Sequence, residues 1–406
     1  MSKGLKLGLS MVVLALFVCG QSWGQVVLSF NFKDGANPYA SLTFDSFGNL
    51  YGTTYNGGPD GGFGEVFELI PNASGGWTET VLHSFDCCSA DGNFPLGGVI
   101  VDGAGNVFGT TWSGGANYGT VFELTPSSAG TWTETIIHDF QGTDGGLPIG
   151  NLLPFRGNLY GTTEAGGTGE VGVAYELSPS SDGTWKETVL HNFAGGANDG
   201  SGLWGALVAD PAGNLYGTTY EGGSTQCPYA TGCGTVFELS PGSSGWTEKI
   251  IYAFQDTGGD GRYPEASLVF DSAGNLFGTT TGGGVSYFGT LFELSPQRNG
   301  TWSEKVIYSF RGPDGSYPTA ALTLDSSGNL YGTTHRGGAH NYGTIFKVTP
   351  SGNSSWKTTV LHSFNKSQGG GAEPQASVTL DHSGNIYTTT TTAGAYGEGT
   401  VFEVPH

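Results

Sequence analysis

The sequence predicts an all-β fold, a seven-bladed β-propeller of four-stranded antiparallel blades, on three observations: a repeated cassette, four strand-like segments within each copy, and matching ends. The cassette is clearest in the line GNLYGTT, which starts at Gly48, Gly105, Gly157, Gly213, Gly274, Gly328 and, degraded to GNIYTTT, Gly384. Successive copies are 57, 52, 56, 61, 54 and 56 residues apart, a length that suits four short strands with their turns. In the fifth copy the segments are Ala266–Asp271, Asn275–Thr280, Gly289–Leu294 and Trp302–Phe310. An Asp-x-x-Gly hairpin joins the first two, because Asp caps the turn and Gly supplies positive φ. No stretch sustains a 3.6-residue apolar period, so helices are not expected.

The ends supply the third observation. The seventh copy stops after Gly399–Val404 without a fourth strand, while Val26–Phe30 (VVLSF) matches the fourth-strand ending VLHSF at Val81–Phe85. Closing the ring with the N-terminal strand removes the open edge on which other chains could pair. The expected division is therefore a leader over 1–24 and one propeller over 25–406. Its blades lie near 40–85, 97–140, 150–193, 205–254, 266–310, 320–364 and 376–404, the last completed by 26–30.

The leader reads as a secretory signal peptide: Lys3 and Lys6 precede an apolar run from Leu7 to Val18, followed by Ser22-Trp23-Gly24. No other apolar stretch nears the roughly 20 residues that a membrane span needs. Acids outnumber bases 35 to 14, and the charge of -21 becomes -23 when the two leader lysines leave. Such a surface excludes nucleic acid and anionic membranes as partners, since both require Lys and Arg to displace counterions. In an oxidising compartment Cys227 and Cys233, six residues apart in one loop, are disulfide candidates, and adjacent Cys87 and Cys88 are poorly placed to bridge each other.

Together, GNLYGTT, a Gly-Gly loop, GTVFEL and W-x-E-x-V-L-H-x-F resemble the GloVer tandem repeat of bacterial choice-of-anchor proteins, over essentially the whole chain after the leader. The resemblance implies an extracellular or surface location and offers no catalytic residues. Pro405-His406 follow a strand directly, without an apolar tail, so a released or periplasmic monomer is expected rather than an anchored one.

Alternating strand direction places the loop after GNLYGTT and the connection leaving the fourth strand on one face, and these are the segments that vary. Residues present in every blade read as scaffold: Glu68, Glu123, Glu176, Glu238, Glu293 and Glu403, replaced by Lys347 in blade six; the tryptophans that begin the fourth strand; and His83, His138, His191 and His362, where Tyr252 and Tyr308 stand elsewhere. The residue after GTT instead varies: Tyr55, Trp112, Glu164, Tyr220, Thr281, His335 and Thr391. With Trp204, the aromatics Tyr55, Trp112 and Tyr220 make a candidate ligand-binding set for a glycan or protein partner. His335 and Arg336 are a weaker candidate for an anion or metal. The Asp-Gly pairs at Asp34, Asp91, Asp144, Asp199, Asp260 and Asp314 could suggest Ca2+, but one carboxylate per loop falls short of its 6 to 8 oxygens. No metal, cofactor or catalytic residue is therefore expected. A secreted non-enzymatic binding module leads, with a channel-mouth hydrolase or lyase, in one version Ca-dependent, and a structural matrix protein as alternatives.

Overall fold

The computed structural model describes residues 24–406 apart from residue 60 and segments 87–90, 224–226, 353–354 and 367–368. The leader residues 1–23 and the Cys87–Cys88 pair lie outside the described residues. Seven four-stranded antiparallel sheets account for the fold, and the described residues contain no α-helix. Blade one sets the pattern: Thr43–Phe44, Leu50–Thr54, Glu65–Pro71 and Trp77–Ser84 lie side by side in chain order. In blade seven the strands Thr379–Leu380, Ile386–Thr390 and Thr400–Val404 are joined by Gln25–Ser29, with Gln25 opposite Glu403 and Ser29 opposite Thr400. That pairing carries a bulge at Val26/Leu28, in the place where the third and fourth strands of blade one slip at Val66/Phe67.

The core is distributed between neighbouring blades. The last residue of each fourth-strand segment is a fully or almost fully buried phenylalanine: Phe30, Phe85, Phe140, Phe193, Phe254, Phe310 and Phe364. Each meets an aromatic ring on the third strand of the next blade edge-on, from Phe30–Phe67 at 5.2 Å round to Phe364–Phe402 at 5.0 Å. Seven such contacts serve seven interfaces, and each is worth about 0.5–1.5 kcal/mol beyond the area it buries. Outer-strand tryptophans reach back the other way: Trp77 packs on Tyr387, Trp185 on Phe108 and Trp302 on Tyr216.

The repeated GTT has a physical cause at each position. In every blade but the second, the first threonine donates to a backbone carbonyl of the next blade, as Thr53 Oγ1 does to Gly97 O at 3.0 Å and Thr389 Oγ1 to Ala40 O at 3.1 Å. In five blades the second threonine hydrogen-bonds the threonine that opens the third strand, as in Thr111–Thr120 at 2.8 Å and Thr334–Thr344 at 2.8 Å, while in blade three Thr163 Oγ1 accepts from Val173 N. The glycine makes room for the aromatic core: a Cβ on Gly52 would lie 2.5 Å from the Phe67 ring and 2.8 Å from Leu42. Gly52→Ala is accordingly expected to destabilise the protein by about 1–3 kcal/mol through overpacking, read as a lower denaturant midpoint with an unchanged slope.

Candidate functional site

The segments before the first strand and after the second bring the variable residues together. The connection into each blade pairs with the loop that follows GTT in the same blade: Ala36 with Asn56, Gly92 with Gly114, Gly146 with Ala165, Gly200 with Gly222, Gly261 with Gly283, Ser316 with Arg336 and Gly371 with Ala393. Both segments therefore occupy one face. The Asp-Gly pairs make this approach possible. Asp199 Oδ2 accepts from Ala194 N and Oδ1 from Gly200 N, while a Cβ on Gly92 or Gly200 would sit 2.1 or 2.2 Å from the second threonine of GTT. Turn capping and close approach account for these pairs.

One or two residues beyond the paired position the backbone is forced into the left-handed region. Asn37, Phe94, Leu147, Tyr263, Tyr317 and Glu373 have φ between 53° and 61°, and Gly202 takes the same place in blade four at 71°. Bulky residues avoid this conformation, which costs about 1–3 kcal/mol unless the surroundings impose it. In this fold both backbone groups are pinned: Phe94 N donates to Phe63 O and Phe94 O accepts from Trp112 N, and Tyr263 N donates to Cys233 O while its carbonyl accepts from Thr281 N. The chain then turns toward the axis through Pro38, Pro95, Pro148, Leu203, Pro264, Pro318 and Pro374, all buried.

The next residue in each blade, Tyr39, Leu96, Ile149, Trp204, Glu265, Thr319 or Gln375, lines a central cavity of about 770 Å³ to which all seven blades contribute. Ser41, Asn151, Ser267 and Ser377 add small polar groups deeper in it. The face thus carries three neighbouring rings of variable residues: the channel ring, the left-handed ring and the ring after GTT. Sequence reasoning found the third ring and Trp204 but missed the others. Their signal was present as a second repeated line, NPYAS, FPLGG, LPIGN, GLWGA, YPEAS, YPTAA and EPQAS, variable on both sides of the buried residue.

Side chains of the three rings pack across blade boundaries. Trp204 of the channel ring stacks on Tyr220 at 4.5 Å, Tyr220 stacks on Tyr263 of blade five at 4.6 Å, and Tyr263 meets Tyr229 at 5.8 Å. The Cys227–Cys233 disulfide, with Cα atoms 5.6 Å apart, closes the loop that carries Tyr229. Arg262 covers the end of this row: it lies over the Tyr229 and Tyr263 rings, donates to Tyr229 Oη and pairs with Asp256. A second row joins Tyr39, Tyr55 and Phe94, with Tyr55 and Phe94 stacked at 4.9 Å. Trp112 donates from Nε1 to Glu164 Oε2 at 3.4 Å.

Arg336 pairs with Glu373 at 2.7 Å, and burial with the neighbouring Arg336 charge lowers the His335 pKa, so that imidazole is neutral at pH 7. The six candidates thus fall into separate places around the face. Trp204 and Tyr220 share a row, Tyr55 lies in the other, Trp112 pairs with Glu164, and His335 with Arg336 faces blade seven. All six are half-buried, each presenting an edge or part of a face rather than standing free.

Electrostatics on the axis are sparse. Among the described cavity-lining residues Glu265 is the sole carboxylate, and burial pushes its pKa up to about 7 against a hydrogen bond from Thr281 that opposes the rise. The blade-repeated glutamates belong to the sheets: Tyr51 Oη donates to Glu68 at 2.7 Å and Tyr387 Oη to Glu403 at 3.0 Å, while Lys347 lies over the Tyr331 ring.

Among solved structures the chain is similar to an ancestral GH74 enzyme, at 15% identity and a TM-score of 0.52 over 78% of this chain, which spans 42% of that enzyme's length. It is also similar to a putative oxidoreductase (glucose dehydrogenase) from Thermus thermophilus, at 13% identity and a TM-score of 0.44, over 94% of this chain and 99% of that one. The first likeness shows the propeller fold alone. No curated protein matches the sequence, and no helix among the described residues is long and apolar enough to cross a membrane. The Gloeobacter/Verrucomicrobia repeat model matches residues 13–155, 116–325 and 299–406. With the cassette traced through all seven sheets, the chain belongs to the Gloeobacter/Verrucomicrobia repeat family.

Proposed function

We propose that this protein is an exported, non-enzymatic binding module that recognises a glycan at the mouth of its central channel. The observation that carries the reading is the position of Trp204, which lines the axial cavity and also begins the Trp204–Tyr220–Tyr263 stack. A flat apolar surface continuous with Asn151, Thr319, Gln375 and small serines suits a sugar, whose C–H face stacks on aromatic rings while its hydroxyls hydrogen-bond at the rim. Variation among blades at these positions, on a backbone held alike in each, favours recognition over scaffolding.

A channel-mouth hydrolase or lyase rests on Glu265, whose raised pKa would suit a general acid. Glycoside hydrolysis ordinarily requires a pair of carboxyl groups, and this lining supplies one. Binding therefore leads. A matrix role, the third reading, would make no use of the aromatic rows.

The test is a glycan array followed by calorimetry on the best ligand. Trp204→Ala is expected to weaken binding about tenfold, equivalent to about 1.4 kcal/mol. Tyr287→Ala, exposed and outside the three rings, should leave it unchanged. Equal affinity of wild type and Trp204→Ala would refute the reading, and turnover of the bound glycan that disappears in Glu265→Gln would favour the enzyme.

A further inference from the structure

Away from the channel, on the outer rim, three blade boundaries carry the same three residue types, and at two of them the ligand atoms converge; between blades two and three His138 lies 3.3 Å from Asp144 but Glu187 does not close the group. Between blades one and two, His83 Nε2 lies 3.3 Å from Asp91 Oδ2 and 3.7 Å from Glu134 Oε2. Between blades three and four, His191 Nε2 lies 3.3 Å from Asp199 Oδ2, and Glu248 completes a group whose ligand atoms all fall within 4.8 Å of one another. In each, the histidine and aspartate come from one blade's fourth strand and the connection after it, and the glutamate from the next blade's fourth strand. Turn capping and scaffold roles account for the aspartates and histidines singly. They do not account for this convergence.

We propose that the His83–Asp91–Glu134 and His191–Asp199–Glu248 clusters each bind a divalent transition-metal ion of the zinc type, clamping adjacent blades at the rim. Zinc takes imidazole nitrogen and carboxylate oxygen at about 2.0–2.2 Å, so neighbouring ligands around a tetrahedral ion stand about 3.3–3.6 Å apart. The histidine–aspartate separation of 3.3 Å at both boundaries falls on that edge, and the 3.7 Å between His83 and Glu134 lies just beyond it. One imidazole with two carboxylates is a borderline donor set that suits zinc better than calcium, which prefers an all-oxygen shell.

The other carboxylate oxygen, Oε1 of Glu134 and of Glu248, is buried and accepts no hydrogen bond among the described residues, as is true of Glu79, Glu187 and Glu304 at the corresponding place. What sets the two sites apart is therefore the convergence of that glutamate with a histidine and an aspartate. Side chains at the first site retain 22%, 10% and 15% exposure for His83, Asp91 and Glu134, which leaves an approach for the ion and for a water in the fourth position. The other boundaries vary the theme. Tyr252 replaces histidine between blades four and five and hydrogen-bonds Asp260 and Glu304, so a phenolic proton sits where the histidine clusters would hold a metal. His362 has no such carboxylates, and burial drives its pKa down to about 4.

The experiment uses the full chain without an affinity tag, stripped with chelator and titrated with ZnCl2, CaCl2 or MnCl2 by calorimetry, with thermal unfolding as a second readout. Two zinc equivalents per chain and a raised Tm are expected. Glu134→Gln should keep one equivalent, Glu134→Gln/Glu248→Gln none, and Glu187→Gln, at the corresponding place between blades two and three, both. The glutamine is isosteric, so the stripped variants should melt as cooperatively as wild type. If either does not, His83→Gln with His191→Gln gives the same reading from the other side of each boundary. Cobalt-loaded protein should show visible tetrahedral absorption that the double variant lacks. Zinc uptake unaffected by the paired substitutions, preference for calcium at these residues, or no uptake at all would each overturn the proposal.

Discussion

Removal of Gln25–Phe32 is expected to make the protein aggregate and to abolish a single sharp unfolding transition. The segment supplies the fourth strand of blade seven, and without it Thr400–Val404 presents an unpaired edge of alternating donors and acceptors. The same deletion removes Phe30, which is fully buried and meets Phe67 edge-on at the interface of blades seven and one. Loss of that ring alone corresponds to about 3–5 kcal/mol, a large part of the stability of an ordinary domain. Val27 and Leu28 leave the same apolar cluster, and Trp77 and Phe44 lose neighbours while still packed on Tyr387. Light scattering and denaturant titration check this: a soluble monomer with one sharp transition after the deletion would mean that the ring does not depend on its N-terminal strand. Phe30→Ala, with the strand retained, should fall between, lowering the midpoint without exposing the edge.

The frame was legible in the sequence because every blade repeats it for the same physical reasons. Gly52 must admit the Phe67 ring, Thr53 must reach the next blade, and Asp45 must cap its turn by accepting from Phe47 N and Asn49 N. Such demands recur with the geometry and leave identical residues behind. The face was less legible, because its chemistry lies in what does not repeat. Phe94 and Tyr263 look like ordinary apolar residues before proline, and nothing local announces that each is held left-handed against a neighbouring loop. Trp204 stood out by residue type, but its continuity with Tyr220 and Tyr263 arises only when blade four meets blade five. His335 and Arg336 were visible as a local cluster, whereas the partner of Arg336 is Glu373 in another blade. The rim clusters were hidden in the same way: each histidine repeats as scaffold, and the glutamate that faces it lies in the next copy of the cassette.

Metal-free protein is expected to lose thermal stability as pH rises from about 5 to 8. Burial, reinforced by Asp34 and Glu65, raises the Glu79 carboxyl to about 8, and burial raises Glu65, Glu187, Glu265 and Glu304 to about 7. In the unfolded chain these groups titrate near 4.3, so between the two values the native state holds more protons and each step up in pH favours unfolding. The opposing groups act lower. In Asp210 and Asp325 partial burial is outweighed by asparagine and backbone hydrogen bonds, so their stabilising effect is lost only as pH falls below the usual aspartate range. His362, at about 4, raises stability between that value and its ordinary 6.5, and burial gives His138 and His335 the same direction, so the decline is cleanest above 6.5. Discounted to a quarter for solvent screening, the five glutamates contribute about 1 kcal/mol apiece over the whole rise. For a chain of this size that corresponds to a fall in Tm on the order of 5 °C. Melting in chelator across that range checks it, with Glu79→Gln expected to flatten the profile because glutamine cannot ionise. A Tm that holds steady or climbs from 6.5 to 8 would show that these carboxyls are already ionised and solvated in the native ring, and that burial between blades does not hold their protons.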